Sequence, residues 1–141
     1  MYHRIIVKIG TANLTNGKEA LDKEYLEKFV NTITKLHKSG KEVLIVTSGA
    51  MGASREFLKI KLDKKKGTSS RQMMAAVGQV YLMKNYWELF QKQNIVIAQA
   101  LLIREDFSNR KRYLNIRNTL LSLLSEKIIP IINENDVVFA E

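Results

Sequence analysis

The chain has 141 residues, contains no cysteine and carries a formal net charge of +9 at neutral pH. This length is sufficient for one domain with its own core, and the lack of cysteine excludes disulfides and thiolate metal sites. No apolar run approaches the roughly 20 residues of a membrane span, and no signal-peptide pattern is present, so we expect a cytoplasmic protein without a membrane partner.

The basic charge suggests a nucleic-acid binder, but its distribution does not favour one. Most lysines and arginines are spread over predicted helix faces, and the one dense cluster lies in a predicted loop. Its members are Lys59, Lys61, Lys64, Lys65 and Lys66. Such a run is usually a solvated loop, and neither a basic strand with interleaved aromatic residues nor zinc-knuckle spacing accompanies it. We expect no nucleic-acid partner, and keep such binding as a distant alternative.

The first third of the chain predicts a strand, a turn, a helix and a second strand. The β-branched run at residues 4–9 predicts a strand covered on both faces. Asn16-Gly17 predicts a tight turn, and Asp22 an N-cap for a helix that ends at Gly40. A second buried strand at residues 43–47 then leads into a short helix.

A long apolar helix is predicted from Thr68-Ser69 to about Lys92, with Ser69 and Gln72 spaced as a capping box. Its apolar residues cover most of the circumference, so we expect it to be buried on two sides. One side can face the sheet. The other needs a further layer, either more of this chain or a second subunit.

The last third predicts a strand at residues 95–102, a helix at 109–126 and a strand at 128–132. Pro130 cannot donate to a central ladder and therefore suggests a bulge or an edge. Strands separated by helices predict a mostly parallel sheet in a three-layer αβα fold. Because the final strand reaches its carboxyl end so near residue 141, we expect one domain, residues 1–141, that is truncated at its C-terminal side.

The first strand ends in Lys8-Ile9-Gly10-Thr11, a pattern that suits phosphate binding. A lysine at the mouth of a buried strand is costly to desolvate unless an anion meets it. Gly10 allows close approach of the backbone, and the amides of Gly10 and Thr11 can point at phosphate oxygens. A lysine that extends its charge to solvent at the sheet edge is an equally good interpretation.

The second and fourth strands also end in polar or small residues. Ser48-Gly49-Ala50 offers free amides at a helix N-terminus, which suits a carboxylate or phosphate, although a plain N-cap serine explains it as well. Asp136 is able to hold a substrate ammonium or help place a metal, and Asn133 can donate or accept, although these residues also suit a turn. A cation, an anion nest and a carboxylate at one sheet edge suit a zwitterionic substrate beside a polyphosphate.

Six segments together resemble the amino acid kinase family, over essentially the whole chain. They are residues 7–11, 45–50, 71–79, 101–107, 112–120 and 130–136. The last two are specific to the members that phosphorylate glutamate. The resemblance implies the amino acid kinase fold, homo-oligomers (dimers or tetramers), and transfer of phosphate from ATP, with Mg²⁺, to the γ-carboxylate of L-glutamate. Its product would be L-glutamate 5-phosphate, the first intermediate of proline synthesis.

The resemblance also implies residue roles. Lys8 would be catalytic and would bind the ATP phosphates with Gly10 and Thr11. The glutamate ligands would be Ser48, Gly49, Ala50, Asn133 and Asp136. We assign no metal ligand.

Three residues depart from the family pattern without touching these roles: Ala12, Ser54 and Ile103. Because the family's adenine pocket and a second phosphate-binding lysine lie beyond the matched part, we expect the isolated chain to be inactive. The alternatives are another amino acid kinase, such as one that acts on N-acetylglutamate, or a non-catalytic fragment acting through its apolar helix.

Overall fold

The structure is a computed structural model that describes residues 2–58 and 67–138, so the lysine cluster of residues 59–66 lies outside it. Within the described ranges, strands alternate with helices. The elements are β1 (Arg4–Ile9), α1 (Thr11–Thr15), α2 (Lys23–Lys38), β2 (Glu42–Thr47), α3 (Ala50–Ser54), α4 (Gly67–Gln91), β3 (Ile97–Leu102), α5 (Glu105–Ser108), α6 (Arg110–Ser125) and β4 (Ile129–Glu134).

The described strands form one parallel sheet in the order β1-β2-β4-β3. Helices α2 and α4 pack on one face, where their apolar residues join Ile45, Ile97 and Ile131 in the main core. Helix α6 lies against the other face, beside Leu44 and Ile132. The predicted α/β class with helices on both faces of a parallel sheet is therefore confirmed.

Helix α2 has the predicted boundaries because local signals agree with its amphipathic pattern. The Asp22 carboxylate accepts a hydrogen bond from the Tyr25 N–H at 3.0 Å, which satisfies a free amide of the first turn. Leu26, Val30 and Ile33 are buried on the face toward the sheet. Gly40 follows the helix at a φ of +86°, a backbone conformation that glycine adopts without strain.

Helix α4 begins earlier than predicted and presents two different faces. It already includes Gly67 and Thr68, so the predicted capping box at Ser69 is wrong. A buried stripe recurs at every fourth residue: Ser70, Met74, Gly78, Leu82, Tyr86 and Phe90. A second apolar stripe is exposed in the described part of the chain: Met73, Val77, Val80 and Trp87. The helix is thus buried on one side and open on the other.

Strand β1 was expected to be covered on both faces, but the described residues cover only one of them. It lies at the edge of the described sheet, and its side chains alternate between the core face and the face that carries α6. Ile9 is buried on the core side, whereas Ile6 is 65% exposed on the other side. Within the described part of the chain, the apolar run of β1 is therefore buried on the core side only.

The expected bulge or edge at Pro130 is also wrong, because β4 lies inside the sheet between β2 and β3. Ile129 donates its N–H toward β3, to the Val96 carbonyl at 3.1 Å. Successive backbone nitrogens point to opposite sides of a strand, so the Pro130 nitrogen faces β2. Pairing with β2 starts only at Ile131, so the missing N–H of proline breaks no ladder hydrogen bond.

Other predicted boundaries shift by a few residues. The N-cap of α6 is Asn109, whose side chain accepts from the Arg112 N–H at 3.0 Å. Strand β4 continues through Asn133 and Glu134, which pair with Leu101 and Leu102 rather than forming a turn. Among the described residues, no helix combines the length and the apolar character needed to cross a membrane.

Candidate functional site

The parallel register places three of the predicted strand ends side by side. Ile9 of β1 pairs with Thr47 of β2, and Val46 of β2 pairs with Ile132 of β4. The residues that follow these pairs, Gly10, Ser48 and Asn133, therefore lie at the same edge of the sheet. This is the edge at which α/β proteins bind ligands.

Hydrogen bonds tie the first two strand ends to each other and to α4. The Thr11 hydroxyl donates to Ser48 Oγ at 3.1 Å, and Ser48 Oγ donates to the Ile9 carbonyl at 3.3 Å. One residue earlier, the Thr47 hydroxyl lies 3.0 Å from the Tyr86 hydroxyl in the core. Burial raises the pKa of Tyr86, so this phenol stays neutral and the contact is a neutral hydrogen bond.

The start of α3 is fixed by close backbone packing. Gly49 has a φ of +90°, and a Cβ there would lie 3.1 Å from Cδ1 of Leu14. Gly78 of α4 is still more restricted, because its Cβ would lie 1.6 Å from the Ala50 carbonyl oxygen. Only glycine at position 78 allows α4 to approach α3 this closely. The small residues at 48–50 thus occupy a rigid position.

Lys8 lies on the exposed face of β1, one residue before the buried Ile9. Within the described residues its charge is therefore exposed to solvent, as in the second of the two interpretations given above. Gly10 is the N-cap of α1 and makes no side-chain cap, and a Cβ there would meet nothing within 4 Å. The roles of Lys8, Gly10 and Thr11 toward phosphate remain predictions.

Asn133 is held by protein groups on both sides of its amide. It is only 5% exposed, and its Nδ2 donates to Oε1 of Gln79 at 2.8 Å. Its Oδ1 accepts the Glu134 N–H at 2.9 Å. Gln79 in turn donates from Nε2 to Oε1 of Gln99 at 2.9 Å. Sequence reasoning missed this link between α4, β3 and β4, although a glutamine among the apolar residues of α4 was a signal.

Asp136 follows β4 in a turn and is partly buried. Burial raises the pKa of its carboxyl group. No described side chain forms an ion pair with it. A bound ammonium group would stabilise a partly buried carboxylate that forms no ion pair. The position of Asp136 therefore suits its predicted role as a ligand of the substrate ammonium.

A cavity of about 350 Å³ opens beside Asp136. Its walls are Met51, Thr68, Arg71, Gln72, Arg104, Glu134 and Asp136. A second cavity of about 440 Å³ shares Met51 and Arg71 with the first, and Thr11 lies in its wall. The two openings therefore extend from the end of β4 to the end of β1. Sequence reasoning did not single out Arg71 or Arg104, although Arg104 comes just after a predicted strand.

The described residues contain no group of three or more histidine, aspartate or glutamate side chains placed to hold a metal ion. The polar residues that line the first cavity are instead one threonine, one glutamine, two arginines and two acidic residues. This composition suits an organic ligand that carries both charges.

Comparison with known proteins identifies relatives along the whole chain. The sequence profile described as "Amino acid kinase family" matches residues 3–141. The chain is 46% identical over 138 residues to a protein of Caldanaerobacter subterraneus named glutamate 5-kinase, covering 98% of this chain and 37% of the relative. Glutamate 5-kinase of Dictyoglomus turgidum is 45% identical over 140 residues, covering 99% of this chain and 38% of the relative.

A more distant relative gives the same result. Glutamate 5-kinase of Methanococcoides burtonii is 40% identical over 135 residues, covering 96% of this chain and 36% of the relative. The chain thus spans little more than a third of the length of the curated relatives it matches. The match across nearly all residues confirms the resemblance seen in the sequence, and this chain belongs to the amino acid kinase family.

Proposed function

We propose that this chain is the N-terminal, glutamate-binding part of a glutamate 5-kinase. Such an enzyme transfers the γ-phosphate of ATP to the γ-carboxylate of L-glutamate and forms L-glutamate 5-phosphate for proline synthesis in the cytoplasm. One observation carries the proposal beyond the names of the relatives. The ends of β1, β2 and β4 meet at one sheet edge, beside a cavity with a partly buried carboxylate that has no described ion-pair partner.

The proposed roles divide the site into a phosphate side and an amino-acid side. Lys8, with the amides of Gly10 and Thr11, neutralises the phosphates of ATP. The Ser48-Gly49-Ala50 segment binds the γ-carboxylate. Phosphoryl transfer depends mainly on positioning and charge neutralisation, so an exposed lysine beside rigid backbone amides is suitable machinery. Mg²⁺ enters bound to the ATP phosphates.

At the amino-acid end of glutamate, Asp136 binds the ammonium group. Asn133 donates one of its two side-chain N–H groups to Gln79 and can donate the other to the substrate. The γ-carboxylate attacks the γ-phosphorus of ATP as ADP leaves, so no covalent enzyme intermediate is required.

We also propose that the nucleotide-binding remainder of the domain covers the face of the sheet that carries α6. A groove of about 480 Å³ lies there between α6 and the sheet, lined mainly by apolar side chains that include Ile6, Leu44, Tyr113 and Ile132. Of the α6 residues only Leu124 is fully buried. Nearly two thirds of the length of each relative lies outside the match, which is enough chain for another layer.

A chimera tests the proposed function. Residues 1–141 are fused to the part of the Caldanaerobacter relative that lies beyond its match, and ADP formation is measured with and without L-glutamate. We expect glutamate-dependent ADP formation from the chimera and none from residues 1–141 alone. A folded chimera that binds ATP and forms no ADP in the presence of glutamate contradicts the proposal.

A further inference from the structure

The cavity beside Asp136 is lined by three charged residues to which the proposed function assigns no role, Arg71, Arg104 and Glu134. Two arginines, Arg71 and Arg104, line it together with two acidic residues, Glu134 and Asp136. Within residues 2–58 and 67–138, none of the four forms an ion pair with another side chain. Two residues of each charge that converge on one concave site suit a ligand that carries both charges.

We propose that Arg71 and Arg104 bind the α-carboxylate of an α-amino dicarboxylate whose ammonium group is bound by Asp136. The inference rests on the proposed function, because it adds ligands to the same glutamate-binding site. It makes the two arginines determinants of substrate specificity.

Arg71 is carried by a rigid part of the structure. It lies in the second turn of α4, three residues before the buried Met74, on a helix whose approach to α3 is fixed by Gly78. Its side chain is exposed and lines both cavities. A ligand in either opening would therefore lie next to Arg71.

Arg104 is held in place by its neighbour Asp106. The buried Asp106 carboxylate accepts the Ile103 N–H at 2.7 Å, which closes the turn that contains Arg104. The same carboxylate forms an ion pair with Arg112 of α6. Because Asp106 is already engaged by these two groups, it leaves the exposed Arg104 side chain available to a ligand.

The carboxylates of Glu134 and Asp136 determine which kind of anion can bind beside the two arginines. A phosphate group carries up to two negative charges, and Glu134 and Asp136 in the same cavity would repel it. The end of an amino acid carries one carboxylate and one ammonium group, so it matches two arginines and two acids without excess charge. The cavity thus favours the amino-acid end of the substrate over the phosphates of ATP.

The expected energetic effect is large enough to measure. Arginine binds a carboxylate through charge-assisted and often paired hydrogen bonds, each stronger than a neutral one. Losing one such contact to a ligand weakens binding by about tenfold or more. Losing both arginines should weaken binding more than either single substitution does.

Calorimetric titration of the 141-residue chain tests the proposal with three probes: L-glutamate, 4-aminobutyrate and inorganic phosphate. 4-Aminobutyrate keeps the ammonium group and the distant carboxylate of glutamate but lacks the α-carboxylate. We expect Arg71→Met and Arg104→Met each to weaken L-glutamate binding at least tenfold and 4-aminobutyrate binding less than threefold. Arg110→Met is the matched control, because Arg110 is exposed on α6 and does not line the cavity.

Asp136→Asn separates failure of this proposal from failure of the proposed function. If Asp136→Asn weakens glutamate binding and the arginine variants do not, the arginine assignment is wrong and the glutamate site stands. Equal losses for L-glutamate and 4-aminobutyrate, or arginine-dependent binding of phosphate alone, also overturn the assignment. If the unaltered chain binds none of the probes, the inference and the glutamate-binding role of this chain both fail.

Discussion

At the scale of single residues, the environment of a side chain determines what it contributes. Lys8 is exposed at the end of β1, and Ser48 is bonded to Thr11 and to the Ile9 carbonyl. The lysine is therefore free to meet a ligand, whereas the serine also holds two strand ends together. Substitution of Lys8 should therefore affect catalysis, and substitution of the helix cap Asp22 should affect stability.

Lys8→Met in the chimera should lower the turnover number by about 100-fold or more, because a preorganised charge near the transferring phosphoryl group is lost. The KM for L-glutamate should change less than threefold, since the lysine is assigned to the phosphates. Steady-state kinetics with both substrates varied measures this. Lys28→Met, at an exposed α2 residue paired with Glu24, is the control. An unchanged turnover number would remove Lys8 from the mechanism.

We expect Asp22 to make the stability of the fold depend on pH in the acid range. The Lys18 ammonium, then the Tyr25 N–H and the Asn16 amide, hold the pKa of Asp22 well below its usual value of 3.8. A lowered pKa in the folded state means that ionised Asp22 stabilises the protein above pH of about 4, and that this contribution is lost as the pH falls further.

Asp22→Asn keeps the helix cap and removes the charge. We expect it to lower the melting temperature at pH 7 by several degrees, and the difference from the unaltered chain to shrink steadily from pH 4 to pH 2. Thermal unfolding followed by circular dichroism measures both. Glu27→Gln, at an exposed α2 position, is the charge-matched control. A difference that is constant over this pH range would show that the negative charge of Asp22 does not stabilise the fold.

At the scale of elements, the contact between α3 and α4 positions the site. Sequence patterns predicted both helices, because apolar spacing and small residues are local signals. They did not predict that Gly78 contacts the Ala50 carbonyl, since this contact depends on where two distant segments meet. For the same reason, the place of Pro130 inside the sheet and the position of Arg104 beside the cavity were not predicted. The Asp22 cap and the left-handed Gly40 were predicted correctly.

Gly78→Ala should destabilise the fold by about 1–3 kcal/mol, because the added methyl group overlaps the Ala50 carbonyl and forces α3 and α4 apart. Gly67→Ala in the same helix is the matched control, since a Cβ there meets nothing within 4 Å. Its effect should stay within about 0.5 kcal/mol. Urea unfolding of the two variants compares them directly. Equal free energies of unfolding would mean that the two helices are not in tight contact.

At the scale of the whole molecule, the described chain leaves two apolar surfaces open. One is the groove beside α6, which we assign to the remainder of the domain. The other is the exposed stripe of α4, formed by Met73, Val77, Val80 and Trp87. A stripe at helical spacing can pair with the same stripe of a second copy, which would give the homo-oligomer that the family resemblance implies.

Val80 lies near the centre of this stripe and is 73% exposed. If the stripes of two copies pair in a dimer, Val80→Asp should raise the dissociation constant of that dimer at least tenfold, because a carboxylate would be buried at the contact. Sedimentation equilibrium measures the shift. Val96→Asp, at an exposed residue off the stripe, should leave the dissociation constant unchanged. A chain that stays monomeric at high concentration argues against this interface.

The parallel sheet was predictable from the sequence, whereas the open face of β1 was not. Alternating apolar runs and helical spacing were sufficient to predict the parallel sheet, and the resemblance identified the family before the comparisons confirmed it. The open face of β1 was not predictable, because a strand that another part of a protein covers has the same apolar sequence as one that is already covered. Thus Ile6 was expected in a core and lies on an open surface.

The most direct measurement identifies the atom that the chimera phosphorylates. Hydroxylamine traps an acyl phosphate as a hydroxamate, so L-glutamate, N-acetyl-L-glutamate and 4-aminobutyrate are each incubated with ATP, Mg²⁺, hydroxylamine and the chimera. We predict γ-glutamyl hydroxamate from L-glutamate, little product from the other two acceptors, and loss of product with Lys8→Met. Preferential reaction of N-acetyl-L-glutamate, or ADP formation without any hydroxamate, would contradict the assignment of this chain to a glutamate 5-kinase.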